Sequence, residues 1–149
     1  MYKKILMAFN ASRDGRSALL ESAEIAAFIK AETHLLAVVG MPPSLFMSGY
    51  LPEEVLEGRK KRTQEILDEG IKLLQDQGFN TTGHITVGEP VEEICRVAAE
   101  LDADLIVLGH RQRLSFAARW WKGSVGASLV DIAPCSILIA RAGAAASQR

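Results

Sequence analysis

Residues 105–129 read LIVLGHRQRLSFAARWWKGSVGASL, and the order of chemistry within them decides the fold. Leu105, Ile106, Val107 and Leu108 form an apolar run rich in β-branched residues, and Gly109 stops it. Thirteen residues follow, with four bases (Arg111, Arg113, Arg119 and Lys122) and no acid. Gly123 and Ser124 then open a segment of helical character. A buried strand, a basic loop and a glycine–serine helix start together make an arrangement suited to phosphate. The first-turn N–H groups of a helix lack intrahelical partners, and the helix dipole favours an anion beside them. Glycine lets that anion approach the backbone, and a serine hydroxyl adds a hydrogen bond.

Outward from this stretch, strand and helix alternate. Residues 3–9 predict a first strand, closed by Asn10, Ala11, Ser12, Asp14 and Gly15. Ala18, Leu19, Ala23, Ile25, Ala26 and Ile29 then recur at helical spacing, with Ser12 or Asp14 as N-cap. Residues 33–39 predict a second strand. Residues 41–51 lack periodicity and read as a loop. A long amphipathic helix is expected over 53–77, with Val55, Ile66, Leu67, Ile71, Leu73 and Leu74 as its apolar members and Gly78 as its stop. Residues 80–87 alternate weakly as a third strand. Pro90 starts the next helix, with Glu92 and Glu93 in its first turn and a buried stripe of Ile94, Val97, Ala98 and Leu101. The fourth strand is expected over 104–108, the fourth helix from 123 to about 132, and a final strand over 136–140.

Such alternation implies right-handed crossovers and an α/β fold, an open doubly wound parallel sheet with helices on both faces. In sheets of this kind the ligand crevice lies outside the carboxyl ends of the strands. Asn10 and Gly109 face one crevice if the first and fourth strands are neighbours. No linker or repeat interrupts the pattern, so residues 1–142 read as one domain and 143–149 as a disordered polar tail.

Bulk properties narrow the partners. A chain of 149 residues suits one domain, and 48% hydrophobic with 23% charged residues is ordinary for a soluble globular protein. A net charge of -1 removes any global attraction for nucleic acid or an acidic membrane surface, so an anion preference must be local. No apolar run approaches the roughly 18 residues needed to span a bilayer. The opening MYKKILMAFNAS has lysines before an apolar stretch, but that stretch is too short for a signal peptide and suits a buried strand. Cys95 and Cys135 lie far apart without a CxxC pair, which fits a reducing, cytoplasmic compartment.

Four motifs occur in order: Asn10-Ala11-Ser12 after the first strand, Gly88-Glu89-Pro90 before the third helix, Gly109 with Gly123-Ser124, and Ala133-Pro134-Cys135-Ser136 before the last strand. Together they make the chain resemble the universal stress protein family over essentially its whole length. The resemblance implies a Rossmann-like five-stranded sheet of order 3-2-1-4-5 and a homodimer built around the last strand. For the nucleotide-binding branch it also implies ATP or AMP between strands one and four. Asn10, Ala11 and Val38 would then address the adenosine. Gly109, Arg111, Gln112, Gly123, Ser124 and the Val125 amide would address the phosphates.

The chain departs from the family pattern at four places. Gln112 stands where the second phosphate-loop glycine belongs, and the interval to Gly123 is one residue longer. Gly126 replaces a serine or threonine. Asn10 replaces an aspartate, keeping an acceptor oxygen but not the charge. Gly-His-x-Gln is similar to the family branch without nucleotide, whereas Gly123-Ser124 is not typical of that branch. Two readings therefore stand: a stress-response regulator that binds adenine nucleotide, and an interaction module that has lost it.

Each feature also has a plainer reading. Gly123-Ser124 serves equally as a helix cap, and the loop bases as a solvated surface. Trp120 and Trp121 suit anchoring of the loop on the core better than stacking on a base. His34, His84 and His110 are too scattered to propose a metal site, with no cysteine or acid at ligand spacing. Cys135 reads as a buried, inert thiol. Walker A, GxGxxG and GxSxG motifs are absent, and Asp102 and Asp104 precede the fourth strand, which leaves a phosphotransfer enzyme without a catalytic acid. Slow ATP hydrolysis needs only a positioned water. No carboxylate is assigned to magnesium.

Overall fold

The computed structural model describes residues 1–9, 13–41, 43–110 and 129–141. In chain order these form β1 (Lys4–Ala8), α1 (Arg13–Ile29), β2 (Glu32–Gly40), α2 (Pro43–Ser48), α3 (Glu53–Asp76), β3 (Thr81–Gly88), α4 (Pro90–Glu100), β4 (Leu105–His110), α5 (Leu129–Ile132) and β5 (Ser136–Arg141). All four strand pairings are parallel, and the sheet order is β3-β2-β1-β4-β5. The doubly wound α/β architecture expected from the alternation is the one observed.

Central parallel strands are covered on both faces, so they need continuous apolar runs. Ile5, Leu6 and Met7 of β1 are at most 1% exposed, and Leu105 to Leu108 of β4 are all buried. Side chains alternate between faces. Ile5, Met7, Leu35 and Val107 meet α1 and α3 through Leu19, Ala23, Leu67 and Leu74. Leu6, Leu36, Ile106 and Leu108 meet α4 and α5 through Val91, Ile94, Val97 and Leu129. The edge strand β3 is covered less, which explains its weak apolar signal.

Three helices end alike. An N–H reaches back five residues to a carbonyl past one residue of positive φ, the arrangement that satisfies the last helical carbonyls. Gly78 (φ 87) does this for α3, with Phe79 donating to Leu74. Lys30 and Asp102 (both φ 54) do it for α1 and α4, with Ala31 donating to Ala26 and Ala103 to Ala98. Gly78 was legible as a stop, but Lys30 and Asp102 carry no glycine to mark the place. At the start of α4 the Glu89 carboxylate accepts from Glu92 N–H at 2.9 Å, one position before Pro90.

Several expectations are corrected. The stretch 41–51 is not all loop, because Pro43–Ser48 forms α2, a helix too short to display periodicity. Gly109 does not end the fourth strand, which continues through His110 as Gly109 pairs with Ala140 and His110 with Arg141. An extended backbone suits glycine when a neighbouring strand supplies its hydrogen bonds. Asp104 precedes β4 rather than opening it, and its carboxylate accepts from the N–H groups of Lys3 (2.8 Å) and Lys4 (3.0 Å). Val55, expected on the apolar face of α3, is 45% exposed. Of the expected fourth helix only α5 falls within the described residues, and the expected tail 143–149 lies outside them.

Candidate functional site

Unequal strand lengths build the site. β1 ends at Ala8, while β2 beside it runs to Gly40 and β4 on its other side to His110. The last β1–β4 pair is Ala8 with Leu108. At the step between β1 and β2 lies a cleft of about 140 Å³, lined from those two strands and from α3 and α4. Ala8 and Phe9 form its floor, Leu36, Val38 and Gly40 one side, and Thr63 and Ile66 of α3 with Ile94 of α4 its helical walls. A dry cavity of about 150 Å³ admits a benzene ring, so this space suits a flat ring system entering from its open side.

Main-chain groups supply polarity. Phe9 N–H donates to Leu36 O at 3.0 Å, which shows that the peptide groups of Leu36 turn towards β1. Strand geometry repeats every two residues, so the N–H and C=O of Val38 turn the same way, beyond the end of β1. At the mouth, Arg59 Nη1 donates to Gly40 O at 3.1 Å. One turn along, Thr63 Oγ1 donates to Arg59 O at 2.9 Å.

Among the residues singled out from the sequence, Val38 lines the cleft and Gly109 lies in β4 past the end of β1. Asn10, Ala11, Arg111, Gln112, Gly123, Ser124 and Val125 lie outside the described residues. Phe9, Thr63, Ile66 and Ile94 were not expected to line a site. No local signal marks Thr63, which is one polar residue among many on the charged helix α3.

Two of the histidines, distant in sequence, meet in the fold. Glu32 and His34 are two apart on β2 and so share a face, and β3 brings His84 beside them. His34 Nε2 donates to Glu32 Oε1 at 2.7 Å, and His34 Nδ1 and His84 Nε2 share a hydrogen bond of 2.8 Å. Among the described residues, no group of three or more His, Cys, Asp or Glu is arranged to hold a metal ion. Burial, then the nearby Cys135 and Glu89, pushes the Cys95 thiol up to about 11. Burial, followed by Asp104, likewise raises Cys135. Both thiols are poor nucleophiles at neutral pH. No helix among the described residues is long and apolar enough to cross a membrane.

The comparisons with known proteins agree with this architecture. The model of the universal stress protein family matches residues 1–141. A universal stress protein of Synechocystis sp. is 30% identical over 152 aligned positions, covering 93% of this chain and 97% of its own. The universal stress protein UspA structure from Lactobacillus plantarum has a TM-score of 0.70 and 25% identity, covering 94% of this chain and 98% of that one. The universal stress protein from Archaeoglobus fulgidus, in complex with dAMP, has a TM-score of 0.65 at 22% identity, covering 93% and 98%. At that identity it shows likeness of fold. On the family match over nearly its whole length, the chain belongs to the universal stress protein family.

Proposed function

We propose that this universal stress protein is a homodimeric, cytoplasmic stress-response regulator that binds an adenine nucleotide, ATP or AMP, at the carboxyl ends of β1 and β4. The observation that carries the reading is the cleft over the end of β1, with the peptide groups of Val38 turned towards it. Adenine has an acceptor nitrogen next to an amino donor, and one N–H beside one C=O matches that edge. Asn10 and Ala11 come after Phe9 in the sequence and would meet the sugar. Gly109, Gly123, Ser124 and the Val125 amide, with Arg111 and Gln112, would hold the phosphates in a loop that has bases and no acid. The dAMP complex of the Archaeoglobus fulgidus protein is consistent with an adenylate in this fold.

No general base or nucleophile is assigned beside the loop, so the proposed activity is binding, with at most slow hydrolysis. Dimerisation is proposed through β5. Among the described residues it is an edge strand, without a strand on its outer side, and Ile139, Val130 and Ile132 are 38%, 54% and 41% exposed. Residues 1–142 are proposed as the functional domain.

Titration with ATP and AMP, followed by the fluorescence of Trp120 and Trp121 and by calorimetry, tests the binding. Saturable heat and a fluorescence change are expected. A flat response from a folded dimer selects the interaction-module reading, in which Gln112 and the lengthened loop fill the phosphate space. A monomer at micromolar concentration in sedimentation rejects the β5 dimer.

A further inference from the structure

We infer that Thr63 is a base-selecting residue, whose Oγ1 accepts a hydrogen bond from the exocyclic amino group of the bound purine and disfavours a 6-oxo purine. The inference rests on the nucleotide reading above and deepens it. Thr63 lies within the long helix α3, and it interrupts an apolar cleft wall formed with Ile66 and, across the sheet, Ile94. A threonine hydroxyl has one proton, and here that proton is given to Arg59 O at 2.9 Å. Its oxygen is left as an acceptor alone. The Gly40 carbonyl at the mouth is already engaged by Arg59 Nη1. Towards the ligand the cleft therefore offers two acceptors, Val38 C=O and Thr63 Oγ1, and an amino group has two hydrogens to meet them.

A 6-oxo purine reverses this pattern. Its oxygen would face oxygen, and Thr63 could relieve the clash only by withdrawing its proton from the Arg59 carbonyl. That carbonyl would lose its side-chain bond and keep only its bond in the helix ladder. Val38 contributes through its main chain and is unchanged by substitution, so Thr63 is the half of the device that mutagenesis can reach. A threonine that merely back-bonds its own helix would alter stability, or all nucleotide affinities together. It would not alter the ratio between two bases.

The test is calorimetric binding of ATP and inosine triphosphate, which differ at this ring position and its adjoining proton, to wild type, Thr63→Val and Thr63→Ser. Valine keeps the shape without the hydroxyl, and serine keeps the hydroxyl. Wild type is expected to favour ATP. Thr63→Val should lower the ATP-to-inosine-triphosphate affinity ratio about fivefold, the worth of one ordinary hydrogen bond, and Thr63→Ser should retain it. An unchanged ratio in Thr63→Val overturns the role of Thr63 while leaving nucleotide binding intact. So does a wild type that takes both nucleotides equally, or a Thr63→Ser ratio as low as that of Thr63→Val. A wild type that binds neither nucleotide overturns this inference together with the reading beneath it.

Discussion

His34 Nδ1 lies 2.8 Å from Nε2 of His84 on the neighbouring strand, with the two ring centroids 5.1 Å apart. Because Glu32 accepts from the other nitrogen of His34, neutral His34 offers Nδ1 as an acceptor and His84 Nε2 donates to it. A carboxylate, a buried imidazole and a half-buried imidazole thus form a chain that ties the edge strand β3 to β2. One proton fits between the rings; a second would set N–H against N–H.

Burial, followed by the neighbouring His34, holds His84 below the ordinary histidine value. A group harder to protonate when folded favours the folded state above its unfolded pKa. That contribution falls as pH drops below about 6.5 and levels off beneath the folded value. Urea midpoints of wild type are therefore expected to fall from pH ~7.5 to ~5.5 more steeply than those of His84→Gln. Parallel curves would show that the pair does not couple to stability.

Gly70 is required by close approach rather than by backbone angle. A Cβ there would lie 2.7 Å from Leu35 Cδ2 and 2.7 Å from Phe9 Cδ1. Gly70→Ala gains about 1 kcal/mol of helix propensity but overpacks the core at a cost of about 1–3 kcal/mol. A net loss of about 1 kcal/mol in denaturant unfolding is expected. Since Phe9 floors the cleft, its displacement should also weaken nucleotide binding. A variant as stable as wild type would mean that Phe9 and Leu35 have room to yield.

Asp104 joins the start of β1 to the start of β4 through the N–H groups of Lys3 and Lys4. Desolvation opposes its charge, but these hydrogen bonds prevail and hold the carboxyl below its usual range. Asp104→Ala is expected to cost about 1 kcal/mol near neutral pH. The contribution is present above the unfolded value of about 3.9 and is lost as pH falls through the folded value. The gap between wild type and variant should therefore close in acid. A constant gap would assign the loss to packing instead.

If Gly123 belongs to the proposed phosphate cradle, Gly123→Val places a branched side chain where the phosphate would approach the backbone. Calorimetry should show loss of ATP binding, and thermal unfolding should remain near wild type. Undiminished affinity in that variant would falsify the phosphate cradle.

The strands were legible where both faces are buried, because a run such as Leu105-Ile106-Val107-Leu108 admits few other readings. Edges and ends were harder. The strand status of Gly109 and His110 depends on Ala140 and Arg141, which supply the pairing from the far end of the chain. The short helix α2 has too few residues to show a periodicity. At the site, Val38 was reached by resemblance to the family. Thr63 looked like any polar residue on a charged helix until α3 was laid against the end of β1.

The linear order of apolar runs, glycines and caps determined by itself that this chain is a parallel α/β sheet, since local burial pattern and turn chemistry are carried residue by residue. Tertiary structure alone decided which strand stops short of its neighbours, which helices wall the resulting cleft, and which histidines touch. Those outcomes depend on pairings between residues some 50 to 100 positions apart, such as His34 with His84 and Lys3 with Asp104. No local pattern encodes the distance between such groups, because it is set only when the strands register.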